Sequence, residues 1–157
     1  MTAHASHTEW IVTDNTRSIG VVVITHGQLA NELLNSAEMI VGDLPQFAAV
    51  SIGWHDDVAV AREAIATALA KVNTGAGALL LTDMFGGTPS NLGLTFLDAG
   101  RIEVVTGVNL AMLIKLAKGR VGADVTTLAR ELCDHGRGAI HVASDLLRAD
   151  REPAREG

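Results

Sequence analysis

Residues 20–42, GVVVITHGQLANELLNSAEMIVG, decide the fold. Residues 20–24 (GVVVI) are β-branched and almost continuously apolar, the pattern of a strand covered on both faces. Behind them Leu29, Leu33, Ala37 and Ile40 recur at helical spacing, tracing one face of a helix that Gly42 and Pro45 close. A buried strand running through a short turn into an amphipathic helix is a β-turn-α unit, and the rest of the chain repeats it.

Residues 47–52 (FAAVSI) form the second apolar run, followed by a polar turn at 53–57 and a helical stripe of Val58, Ala61, Ile65, Leu69 and Val72. Asp56 or Asp57 serves as its cap, where first-turn N–H groups lack partners. The third run, 78–81, ends at Thr82 and Asp83 and enters the loop DMFGGTPSN. There Thr88 is expected as N-cap and Pro89 as the first helical residue, with a short helix over 92–99. The fourth run, 102–106 (IEVVT), leads through Gly107-Val108-Asn109 into a helix over 110–118, capped by Asn109 and ended by Gly119. A further helix over about 125–134 closes at Gly136, and 139–143 is the last expected strand. Repeated β-α units of this length predict an α/β fold, a doubly wound, mainly parallel sheet with helices on both faces. Ligands of such sheets bind at the carboxyl ends of the strands, which directs attention to the loops at 25–28, 53–57, 83–91 and 107–109.

Length and composition narrow the function. A chain of 157 residues predicts one domain, and 48% apolar residues suffice for a core. With 12 Lys and Arg against 18 Asp and Glu, the net charge of -6 gives no support to binding nucleic acid or an anionic membrane. Cys133 is the only cysteine, which excludes an intrachain disulfide framework and a multi-cysteine metal site. Residues 1–17 are read as a flexible N-terminal extension without the apolar core of a secretory signal, and 147–157 as a charged tail that frays. The apolar runs fall well short of the ~20 residues that span a bilayer, so a cytoplasmic location is expected.

His26, at the end of the first run, is the leading candidate for chemistry. A lone histidine in such a place often only satisfies a loop, but at a carboxyl edge one ring nitrogen can attack while the other is held by an acceptor. Asp83 supplies that acceptor if the first and third strands are neighbours, or else it caps its own loop. Gly86-Gly87-Thr88 lets backbone approach a ligand and aims N–H groups at an anion such as phosphate. The loop is not a Walker A motif, and no GxGxxG follows the first strand. His55, Asp56 and Asp57 are adjacent residues that cannot all face one metal, so no metal is expected. His4, His7, His135 and His141 have no ligand-spaced companions. Cys133 reads as a buried core thiol. Trp54, beside the end of the second strand, lines either a pocket or a partner surface.

Three segments taken together, VVVITHGQLANELLNSAEMIVG, LLLTDMFGGTPSN and EVVTGVNLAMLIKLA, resemble the mannose-type IIA component of the bacterial phosphoenolpyruvate-dependent sugar phosphotransferase system, over about residues 18–143. That resemblance implies strand order 2-1-3-4, with a late antiparallel strand, here 139–143, exchanged in a homodimer. It implies a phosphocarrier domain over 18–146 that takes a phosphoryl group from HPr on His26 and passes it to a IIB component. Asp83 would then orient the ring through Nδ1. Thr88, Gly86 and Gly87 would hold the phosphoryl group, and Thr25, Phe85, Asn109 and Trp54 would rim the crevice. It further implies no cofactor, no direct sugar binding and only an indirect link to a membrane IIC/IID permease. The extension before the first strand and the GWHDD turn depart from the enteric pattern. Two other readings stand beside it: a regulatory phosphoacceptor of the same fold, and the phosphocarrier subunit of dihydroxyacetone kinase.

Overall fold

The computed structural model describes residues 17–149. In chain order these form β1 (Gly20–His26), α1 (Leu29–Val41), β2 (Phe47–Ile52), α2 (Val58–Val72), β3 (Ala78–Thr82), α3 (Thr88–Leu94), β4 (Ile102–Thr106), α4 (Leu110–Lys118), α5 (Val125–Gly138) and α6 (Ala143–Ala149). The strands make one sheet, parallel throughout, in the order β2-β1-β3-β4. β1 and β3 occupy the centre, which is why their residues are apolar on both faces.

Strand alternation divides the core in two. Val21 and Val23 of β1 with Leu79 and Leu81 of β3 point to the layer of α1, α4 and α5, where Leu113, Leu116 and Leu132 are fully buried. Val22 and Ile24 with Ala78 and Leu80 point to the opposite layer, where Ile65, Leu69 and Val72 of α2 and Leu92 of α3 cover them. Gly20 opens β1 where the chain passes under the end of α2: a Cβ there would lie 2.6 Å from the Val72 carbonyl oxygen. On the other layer Arg120, nearly buried, donates to the carbonyls of Ile19 and Pro45 and stacks over Phe47, tying the feet of β1 and β2 together.

Caps follow the sequence in part. Asp57 accepts from Ala59 and Val60 N–H, and Asn109 from Met112 N–H. Asp56 instead turns back to accept from Gly53 N–H. α3 begins one residue earlier than expected, with Gly87 as N-cap and Thr88 already helical. It also stops at Leu94, because the next amides tighten to carbonyls three residues back and Asp98 pairs with Ile102 at the entry to β4. α5 runs past Gly136 to Gly138. Gly136 is a contact residue rather than a terminator: a Cβ there would come within 2.7 Å of Met112 Sδ on α4.

The expected strand at 139–143 is not formed in the single chain. Ala139 caps α5, Ile140 N–H bonds back to Arg137, and Ala143 opens α6. A strand needs a ladder, and among the described residues none pairs with this segment, whose Ile140 and Val142 are exposed. α6 also crosses the expected boundary at 146, so the start of the charged tail is helical, with Asp145 and Arg148 one turn apart at 3.5 Å. The N-terminal segment expected to be flexible, except Arg17, and the tail beyond 149 lie outside the described residues.

Candidate functional site

The lengths of three strands build the site. β1 is longer than β3 by the measure of its ladders: its pairing to β3 ends at Ile24 with Thr82, whereas its pairing to β2 continues to His26 with Ile52. Gly27 N–H bonds the Ile52 carbonyl on the β2 side, so the His26 N–H faces the space where β3 has already ended. Asp83 fills that space. Its Oδ2 accepts from His26 N–H at 3.0 Å and lies 2.8 Å from His26 Nδ1, while its Oδ1 accepts from Met84 N–H at 3.0 Å. A carboxylate that takes the place of a missing ladder carbonyl therefore also grips the ring of the residue it pairs with.

Electrostatics follow from the same contacts. Burial pushes the Asp83 carboxyl up, but the hydrogen bonds from the His26 ring and backbone, the charge on that ring and the Met84 N–H together hold it below its ordinary 3.8. An ionised carboxylate only accepts, so Nδ1 carries the proton and the lone pair of the neutral ring sits on Nε2.

Nε2 faces Gly87. With Gly87 at φ +88°, a Cβ on that residue would stand 3.1 Å from both Cε1 and Nε2 of His26. The glycine is thus both a left-handed turn residue and the clearance in front of the free nitrogen. Ser90, fully buried, steadies this loop by donating to the Gly87 carbonyl at 3.3 Å. A crevice of about 250 Å³ opens there, lined by His26, Ile52, Gly53, Trp54, Gly87 and Thr88. It is smaller than the ~300–1,000 Å³ usual for a small-molecule pocket, and the His26 side chain is half exposed in it.

The structure therefore gathers His26, Asp83, Gly87, Thr88 and Trp54, and separates the others. Thr25 is not on the rim: it is fully buried, and its hydroxyl accepts from Ala30 N–H at 2.7 Å, doing for α1 what Gln28 at the N-cap does not. Asn109 is spent on the α4 cap and on donating to the Gly136 carbonyl, and it lines a neighbouring hollow with Cys133 and Ile140. Cys133 is half-buried rather than a core thiol. Phe85 is exposed beside Met84, and a Cβ on Gly86 would meet nothing; neither lines the crevice. Among the described residues no cluster of metal-ligating side chains occurs. Ile52 and Ser90 were missed. Ile52 reads only as strand, and the signal for Ser90 is its place three residues after a glycine cap.

Comparison with known proteins gives consistent results. The family model described as the PTS system fructose IIA component, EIIA-man, matches residues 20–133. The mannose-specific EIIAB component of Escherichia coli (strain K12) is 35% identical over 109 residues, 66% of this chain and 32% of that protein, so the chain spans about a third of that relative's length. The fructose-specific EIIA component of Bacillus subtilis (strain 168) is 28% identical over 130 residues, 82% of this chain and 89% of that one. Among solved structures, the mannose/sorbose specific IIA subunit from Enterococcus faecalis superposes with a TM-score of 0.71 at 33% identity, covering 80% of this chain and 95% of that one. The PTS IIA protein associated with the fucose utilization operon from Streptococcus pneumoniae shares the fold, with a TM-score of 0.75 at 21% identity over 84% of this chain and 98% of that one.

Proposed function

Since this chain belongs to the mannose-type IIA family of the sugar phosphotransferase system, we propose that it is a phosphocarrier that accepts a phosphoryl group from phospho-HPr on His26 Nε2 and delivers it to a IIB component. The observation that carries the reading is the ring of His26, pinned through Nδ1 by Asp83 and open at Nε2 onto a shallow crevice. In the first transfer the bond between phosphorus and the donor's histidine nitrogen breaks as the bond to His26 Nε2 forms on the opposite side. Asp83 keeps the reactive tautomer and offsets the positive charge that develops on the ring. The Thr88 hydroxyl and the Thr88 and Ser90 N–H groups at the start of α3, where Pro89 has none, are the donors this reading gives to the transferring oxygens.

The second transfer reverses the geometry with IIB as acceptor. A half-exposed histidine suits this, because the group must be reached by two different proteins in turn. Sugar selection belongs to the membrane IIC and IID components, with which this chain has only an indirect link through IIB. Among the described residues no helix is long and apolar enough to cross a membrane, which fits a carrier working in the cytoplasm. Pairing into a homodimer by exchange of the 139–143 segment is part of the same reading, since its exposed Ile140 and Val142 lack a ladder in the single chain.

Labelled phosphoenolpyruvate with enzyme I and HPr tests the reading. The wild type should gain acid-labile, base-stable label and lose it to IIB, and His26→Ala should gain none. Absence of label on the wild type in the presence of charged HPr would overturn it.

A further inference from the structure

Trp54 is 95% exposed, yet it lines the same crevice as His26. An exposed tryptophan is costly to leave in water, and this one is held there by design of its turn: Asp56 accepts from Gly53 N–H at 2.6 Å and returns its own N–H to the Gly53 carbonyl at 3.3 Å. The clamp closes a tight loop with Trp54 at its tip. Around it the four loops at the carboxyl edge, 25–28, 53–57, 83–91 and 107–109, contain no Lys or Arg, while Asp56 and Asp57 stand beside the tryptophan.

We propose that Trp54 is the docking anchor for the protein that phosphorylates His26, inserting into an apolar socket rimmed by Lys or Arg on that partner. The inference rests on the phosphocarrier reading and names what that reading leaves open, the residue that holds the donor. A donor protein must bring its phosphorus to Nε2, and a stable contact covers about 800 Å² per partner, a disc of roughly 16 Å radius centred on that nitrogen. Trp54, in the same crevice, falls under it. Buried tryptophans near the centre of an interface carry much of its energy. The acidic residues beside Trp54 and the absence of Lys and Arg from the surrounding loops favour a basic rim on the partner over an acidic one. A sugar is a poor alternative occupant, because the crevice is too shallow to enclose it.

The test compares two donors on the same proteins: phospho-HPr, and phosphoramidate, a small donor that needs no docking surface. Rates of labelling are measured for the wild type, Trp54→Ala, Trp54→Phe and Asp56→Ala at donor concentrations below saturation. The expected result is a fall of about tenfold or more with phospho-HPr for Trp54→Ala, at least tenfold greater than its fall with phosphoramidate. Trp54→Phe should lie between, and Asp56→Ala should reproduce part of the loss. Equal falls with both donors, or no fall with phospho-HPr, would overturn the proposal. If the wild type takes label from phosphoramidate but not from phospho-HPr, the protein-donor reading fails and the anchor with it; if it takes label from neither, His26 is not an acceptor at all. In a Trp10→Phe background, Trp54 emission should shift to shorter wavelength on adding HPr. Unchanged emission at saturating HPr would contradict burial of the ring.

Discussion

One carboxylate oxygen decides which nitrogen of His26 is left to react. Asp83 Oδ2 holds both the backbone N–H and Nδ1 of the histidine, so replacing it by Asn keeps the size and removes an obligate acceptor. Asp83→Asn should lower the rate of phosphoryl acceptance by roughly two orders of magnitude, with the ring tautomer mixed in ¹⁵N spectra. The same contact has a pH signature. Because the folded-state pKa of Asp83 lies below its ordinary 3.8, its contribution to stability is complete above that value. It is lost as the pH falls below 3.8 and through the folded-state pKa. Denaturant titrations should therefore show the gap between wild type and Asp83→Asn narrowing over that acid range. The paired glycines offer a second check. Gly86 and Gly87 have φ of +85° and +88°, so an alanine at either strains the backbone, and Gly87, with ψ 172°, lies in a region open essentially only to glycine. Only the Cβ at 87 meets His26, so Gly87→Ala should lose phosphoryl acceptance far beyond Gly86→Ala, by more than any difference in their stability accounts for when both are assayed at temperatures where they are fully folded. At this scale the sequence disclosed residue types and edges. His26 and Asp83 were legible because both end apolar runs. Thr25 and Asn109 were misplaced on the rim because the direction of a hydroxyl or an amide depends on which backbone groups are left unpaired nearby.

At the scale of elements, the helix starts with a side-chain acceptor were the most readable feature, since Asp57 and Asn109 act locally on amides two or three residues away. Helix ends were less so. α5 passes Gly136 because that glycine is needed for contact with Met112, and α3 stops early because the chain must reach β4. The start of α1 is a third case. Its acceptor is the buried Thr25 on the preceding strand rather than the N-cap residue. Thr25→Val keeps the shape and leaves the Ala30 N–H without its partner, which should cost about 1–3 kcal/mol in chemical denaturation. Because Thr25 adjoins His26, loss of phosphoryl acceptance should follow stability and not exceed it. A Thr25→Ser variant should restore most of both.

For the whole molecule, the unbroken apolar runs of β1 and β3, each followed by a helix, made a parallel sheet legible, but periodicity does not say which strands are neighbours. The order β2-β1-β3-β4 came from resemblance, and the structure bears it out. That order is what brings His26 and Asp83, 57 positions apart, within 2.8 Å. The segment at 139–143 forms no strand in the single chain: its β-branched residues signal a preference, and a strand exists only beside a partner. The central claim is that this fold presents one nitrogen to be loaded. The most direct measurement is ¹⁵N and ³¹P NMR of the intact chain after transfer from phospho-HPr. The account predicts a single phosphohistidine, on His26, with phosphorus coupled to Nε2 and Nδ1 still protonated. Phosphorus on Nδ1, or on any other residue, would contradict it.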